Sequence, residues 1–256
     1  MSGIQDAPDR TEIPLDGIGV TELVYPVTVP ARDGAPQTTA AAFSLNIAMG
    51  KEARGAHMSR FVEILDGDPR LLSAAGLRTL LTDLVAAHEA RAARAEIDFT
   101  FFVHRSAPVS GAGSLLACPV TMEASLGDDF DLVTTVVVPV MTVCPCSKEA
   151  TGGPAHSQRG HVAVSIRTEG RVWIEEIVEL VEDCASAPVY PLLKGDDERS
   201  VIEDAHEDPV LVEDLVRRTA ERLDSDVRVS WYRVEAENLD SVHDHNLSAC
   251  VERPLS

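Results

Sequence analysis

Leu132-Val133-Thr134-Thr135-Val136-Val137-Val138-Pro139-Val140-Met141-Thr142-Val143 is a β-branched, almost unbroken apolar run. Such residues pack well on a pleated surface, so the run reads as a strand. Its continuity predicts burial on both faces. It ends directly in Cys144-Pro145-Cys146-Ser147-Lys148-Glu149. A buried strand thus delivers two thiols into a loop, the setting in which functional residues concentrate.

Working upstream, residues 117–127 read as a strand joined to this one by the turn Gly127-Asp128-Asp129. Ile97, Phe99, Phe101 and Val103 alternate within Ala95 to His104, a further strand, and residues 106–114 form a turn rich in Pro, Ser and Gly. A helix is predicted from about Leu71 to Arg94, with Gly76 as its weak point, and another begins within Phe61 to Leu65. Gly50 to Ser59 reads as a loop. Thr38 to Met49 alternates loosely as a strand, and Val20 to Val29 is a strand interrupted by Pro26. Residues 1–18 are polar and read as a flexible arm.

Downstream, His161 to Thr168 alternates as a strand. Val172 to Cys184 reads as a helix carrying Trp173, Ile177, Leu180 and Val181 on one side. A second helix is predicted from Asp208 as N-cap and Pro209 at its first position, with the stripe Val212, Leu215, Val216, Thr219 and Leu223. Asp226 to Ala236 and Ser241 to Val251 close the chain as two strands. Each half therefore runs strands, helical material, strands. The expected class is α+β, a unit over 19–256 with approximate modules 19–140 and 141–256.

Composition sets limits. Of 256 residues 45% are hydrophobic but only 4% aromatic, so aliphatic side chains must fill the core. A net charge of −20 argues against nonspecific nucleic-acid binding, because phosphate backbones would be repelled. It leaves room for a small phosphorylated substrate held by a few local cations. No run of membrane-spanning length and no signal-peptide pattern is present, so the expected compartment is the cytoplasm. Five cysteines are an odd count and argue against a closed disulfide framework; Cys118, Cys184 and Cys250 read as ordinary buried thiols.

Four segments carry candidate chemistry. Cys144 and Cys146, followed by His156 and His161, offer thiolate and imidazole donors. These suit either a borderline-soft metal or an activated thiolate, and the spacing is not that of a zinc finger. Asp240, His243 and His245 offer a carboxylate and two imidazoles, with the histidines on one face if the segment is a strand. The bland alternative is a polar turn. The acidic stretch Asp196-Asp197-Glu198 with Glu203-Asp204 reads as a solvated loop. Glu213 either pairs with Arg217 one helical turn on or receives two N–H groups from a purine edge. His57 and Arg60, before a helix start, and Lys148 and Arg159 are candidate phosphate ligands. No G-x-x-x-x-G-K-[ST] loop occurs, which excludes a P-loop nucleotidase.

In order, Ala56-His57-Met58-Ser59-Arg60-Phe61, Cys144-Pro145-Cys146-Ser147-Lys148-Glu149, Ala155-His156-Ser157-Gln158-Arg159, Tyr190-Pro191-Leu192-Leu193-Lys194, Asp197-Glu198, Val212-Glu213-Asp214 and Glu237-Asn238-Leu239-Asp240-Ser241-Val242-His243-Asp244-His245 resemble the GTP cyclohydrolase IB family across roughly residues 18–252. The resemblance implies the tunnelling fold: antiparallel sheets with helices on one face, closing into barrels in a homotetramer with active sites at subunit interfaces. It implies GTP as substrate and 7,8-dihydroneopterin triphosphate and formate as products, through metal-activated water attack at C8, as the first step towards tetrahydrofolate. By the same likeness Cys144 and His156 hold a divalent ion, Zn, Mn or Fe, with Glu198 and His243 completing or flanking the site and Asp240 a further candidate ligand. Asp240 stands where the family pattern has Glu, one methylene longer. Cys146 and His245 lie nearby as proton-transfer or supporting groups, Glu213 anchors guanine, and His57, Arg60, Lys148 and Arg159 face the triphosphate. The alternatives are a related tunnelling-fold nitrile reductase with Cys146 as nucleophile, a noncatalytic purine- or pterin-binding protein, and a structural-zinc module.

Overall fold

A computed structural model of the chain describes residues 13–32, 34–51, 55–67 and 71–254. These fall into two compact units, the described residues up to 100 with 121–133 and residues 101–120 with 134–254.

In the first unit β1 (Leu15–Val29) pairs antiparallel with β2 (Gln37–Met49), and β2 pairs antiparallel with β3 (Ala92–Ser106). β1 begins inside the stretch read as an arm, whose first twelve residues lie outside the described ones. It also runs straight through Pro26, which sits opposite Ala40. That correction has a simple cause: β1 ends the strand order, so a missing N–H on its outer side interrupts no ladder. Bulges between Leu15/Ile18 and Val20/Leu23 bend β1, with Glu22 in the left-handed region at φ 57°. At Gly19 a Cβ would stand 1.7 Å from the Leu45 carbonyl oxygen, so only glycine permits this approach.

The alternation read in β2 is the burial pattern: Ala41, Phe43, Leu45, Ile47 and Met49 are buried. β3 continues it with Ala93, Ala95, Ile97 and Phe99. Two helices add core side chains, Phe61 and Leu65 from α1 (Met58–Asp66) and Leu77, Leu81 and Leu84 from α2 (Ala74–His88). α2 is shorter than predicted at both ends. Ser73 caps it, its Oγ accepting from the Gly76 N–H at 3.2 Å, and Glu89 in the left-handed region ends it. Gly76 therefore lies in the first turn and breaks nothing.

The strand order continues β3-β4-β5-β6-β8-β9, of which the second unit holds residues 101–106, 113–120 and 134–143 of the first three strands and all of the last three. Here β4 is Gly113–Leu126, β5 Phe130–Val143, β6 Ser157–Thr168, β8 Val229–Asn238 and β9 Leu247–Pro254. A two-residue strand, β7 (Ala187–Pro188), pairs with β5. β5 is buried on alternate residues and half-buried on the others, not buried on both faces as its composition suggested. Among the described residues the second unit holds four helices: α3 (Pro145–Thr151), α4 (Ile174–Glu182), α5 (Gly195–Glu207) and α6 (Val212–Asp224). Trp173 is the N-cap residue of α4 and no part of its stripe.

Four readings are corrected here. The acidic stretch taken for a loop is helix α5, whose buried stripe Asp197, Val201 and Ala205 is narrow and contains a carboxylate. Asp208 ends α5 rather than starting the next helix. Val210 N–H donates to the Val143 carbonyl at 3.0 Å, which keeps residues 209–211 extended and delays α6 to Val212. Residues 241–246 are not strand; β9 starts at Leu247 and leaves Cys250 exposed, unlike buried Cys118 and Cys184. The predicted stripe of α6 is buried throughout.

Candidate active site

The end of β5 is held from every side. Val143 N–H donates to the buried Ser186 Oγ at 3.1 Å, and the Val143 carbonyl accepts from Val210. Cys144 then caps α3, with Pro145 pre-set for the first helical position. Cys144 N–H donates to the His156 carbonyl at 3.1 Å. Ser147 Oγ donates to the Cys144 carbonyl at 3.0 Å and accepts from His156 N–H at 3.2 Å. These bonds set the half-buried Cys144 beside His156 on neighbouring backbone, while Cys146 is exposed.

A second loop reaches the same place. Leu239 N–H donates to the Arg159 carbonyl at 2.9 Å, carrying the β6–β8 pairing into residues 239–246. Ser241 Oγ lies 3.2 Å from His156 Nδ1. Asp240 Oδ1 accepts from Val242 N–H and His243 N–H at 2.7 Å each, and lies 3.2 Å from His243 Nδ1. The Asp240 side chain is 2% exposed while that of His243 is 59% exposed. The rings of His243 and His245 stand 5.2 Å apart, so the two histidines do sit together, on a turn rather than a strand face.

The N–H groups of His243 and then Val242 hold the Asp240 carboxyl at about 2. Its folded value lies below the ordinary carboxylate value of about 3.9. The contact therefore stabilises the loop in full above about pH 4 and is lost as pH falls through about 2. The Val242 and His243 amide resonances should shift together in that window. Amides unchanged through the window would contradict the turn.

Glu198 lies exposed in the first turn of α5. The preceding Asp197 is 0% exposed and accepts four bonds, from Val109 N–H, Ser110 N–H, Ser110 Oγ–H and Lys194 N–H. These donors, Ser110 N–H first, hold its carboxyl far below the usual range. No role for Asp197 was read from the sequence, although Lys194-x-x-Asp197 has capping-box spacing. Lys148 Nζ donates to the His206 carbonyl, so this candidate phosphate ligand already has a partner.

Glu213 lies exposed in the first turn of α6. Of the two readings of Glu213, the pair with Arg217 does not form; Arg217 takes Asp214 at 2.8 Å instead. Glu213 borders a groove with Arg217, Asp224, Cys250 and Arg253. Arg159, exposed on β6, borders a second groove with Gln158, Tyr190 and Leu193. His57 and Arg60 belong to the first unit, where His57 precedes α1 and Arg60 Nη1 donates to the Ala87 carbonyl at 2.6 Å.

The thiol of Cys144 and the imidazole of His156 are donors that a borderline-soft divalent ion accepts, and the carboxylate of Glu198 is compatible with both. The structure brings Cys144, His156 and the 239–245 loop together. Among the described residues no group of three His, Cys, Asp or Glu side chains stands ready to hold a metal. Nor is any described helix long and apolar enough to cross a membrane.

A family model described as type I GTP cyclohydrolase folE2 matches residues 1–249. A GTP cyclohydrolase FolE2 from Kosmotoga olearia is 40% identical over 256 residues, covering 100% of both chains. One from Geobacter sulfurreducens is 40% identical over 253 residues, covering 99% of this chain and 98% of its own. Among solved structures, uricase from Arthrobacter globiformis superposes with a TM-score of 0.53 at 11% identity, covering 94% of this chain and 93% of its own. Urate oxidase from Bacillus sp. TB-90 gives 0.53 at 8% identity, covering 94% and 100%. At such identities the likeness concerns the fold alone, which is the α+β tunnelling fold.

Proposed function

This chain belongs to the type I GTP cyclohydrolase folE2 family, and on that premise we propose that it converts GTP and water to 7,8-dihydroneopterin triphosphate and formate, the first step of tetrahydrofolate biosynthesis. The finer label, type IB, rests on the Cys144-to-Glu149 segment. The observation that carries the reading is the bond from Cys144 N–H to the His156 carbonyl, which puts these two residues on neighbouring backbone in a chain of this family.

Cys144 and His156 would hold a divalent ion, with Glu198 and His243 completing the set. Their mixed donor types accept Zn, Mn or Fe. Such an ion, when bound, acidifies a water for attack on C8 of the purine. Glu213, with no partner of its own among the hydrogen bonds described, receives the N1–H and 2-amino N–H of guanine. Asp240 orients His243 through Nδ1, leaving Nε2 for the ion, and the neighbouring His245 takes and returns protons as the imidazole ring opens and formate leaves. This moves Asp240 from metal ligand to support. Arg159 is the triphosphate candidate of the second unit, Lys148 joins it only by releasing the His206 carbonyl, and His57 and Arg60 stay triphosphate candidates by the family resemblance alone. Cys146, exposed one residue beyond Pro145, takes no step.

As the family resemblance implies, the enzyme acts as a homotetramer with its active sites at subunit interfaces. Release of formate from GTP tests the function.

A further inference from the structure

We propose that Asp197 is a positioning residue that fixes the start of α5, and with it Glu198, against the turn at residues 107–112. The inference rests on Glu198 as a metal ligand and adds what holds it in place.

The fixed geometry is built in two parts. Val201 and Ala205 of α5 pack in one apolar cluster with Val143, the residue before Cys144. That contact sets the side of α5 which faces the end of β5, and leaves its first turn to be fixed separately. Asp197 stands one turn before Val201 on the same buried face. Its Oδ1 accepts from Val109 N–H at 2.9 Å and Ser110 N–H at 2.7 Å. Its Oδ2 accepts from Ser110 Oγ–H at 2.7 Å and Lys194 N–H at 2.8 Å. A carboxylate has about four lone-pair directions, and all are filled. Asp197 therefore has no capacity left for a metal or a substrate proton. Its neighbour Glu198 is exposed, and its backbone N–H makes the first helical bond, to the Lys194 carbonyl at 2.9 Å. One carboxylate of the pair is structural and the other is free for chemistry.

Asparagine at 197 keeps the shape but has one acceptor oxygen. Whichever way its amide turns, its –NH₂ opposes a backbone N–H, either that of Lys194 or those of Val109 and Ser110. Ser110→Ala is milder, removing one hydroxyl and leaving three of the four bonds.

The test uses Co²⁺ alone as probe on the full chain. The thiolate-to-cobalt absorption band reports Cys144, and its titration midpoint reports the whole ligand set. In D197N the midpoint is expected to rise on the order of 10–100-fold, the range for losing a group that orients a ligand. The band should keep its saturating intensity, which general unfolding would not allow. S110A should move the midpoint the same way by less, and it decides the matter if D197N does not fold. E198A should weaken Co²⁺ at least as much as D197N. Weak binding in E198A with unchanged midpoints in D197N and S110A overturns the positioning role and leaves the ligand reading standing. An unchanged midpoint in E198A overturns both.

Discussion

Cys144→Ala is expected to lower GTP turnover to below about 0.1% of the unsubstituted rate, because water without a bound ion ionises near 15.7 rather than near 7. The fold should survive. Cys144 is only half-buried, and the bonds that fix this corner run through its backbone N–H and carbonyl, which alanine keeps. The thermal transition should stay close to that of the parent, while metal content after dialysis falls. Cys146→Ala serves as the control, because the exposed Cys146 has no assigned step. Normal turnover in Cys144→Ala would remove Cys144 from the ligand set.

The second large effect belongs to Glu213. Two charge-assisted hydrogen bonds to guanine are worth about 1.5–3 kcal/mol each. Their loss in Glu213→Ala should lower kcat/KM for GTP by roughly 10²–10⁴-fold. Inosine triphosphate separates recognition from general damage, because it lacks the 2-amino group. The parent enzyme should prefer GTP over it strongly, and Glu213→Ala should treat the two nearly alike. Co²⁺ affinity should not change. A retained preference for GTP in the variant would assign the guanine contact elsewhere. Stability should change little, since Glu213 is exposed and makes no pair with Arg217.

The strands were legible because burial follows alternation. Phe43, Leu45 and Ile47 on β2, and Ile97 and Phe99 on β3, announce their buried face in the sequence itself. Helix α5 was not legible, because its stripe is three residues wide and one of them is Asp197. That carboxylate is buried only because donors some 87 and 88 positions away, at Ser110 and Val109, close around it. Nothing local to residues 195–207 signals them. The 239–246 loop was misread for the opposite reason. Val242, His243 and His245 imitate strand alternation, but Asp240 Oδ1 takes the N–H groups of Val242 and His243 and turns the chain instead.

Within the site, Cys144 and His156 were legible as residue types and became a pair only through the backbone bond joining them. Ser241 had no signal beyond its place beside Asp240, yet its hydroxyl is what meets His156 Nδ1. Lys148 looked like a free cation and is a tether to α5. Long-range hydrogen bonds decided each of these cases, and sequence pattern carries little information about them.

The central claim is that this chain opens the imidazole ring of GTP with a divalent ion held by Cys144 and His156. Formate released per GTP consumed, measured before and after EDTA and again after adding back Zn, Mn or Fe, tests it most directly. One formate per GTP, lost on chelation and restored by at least one metal, is the predicted result. GTP left intact in the presence of all three metals, or formate release indifferent to EDTA, would contradict it.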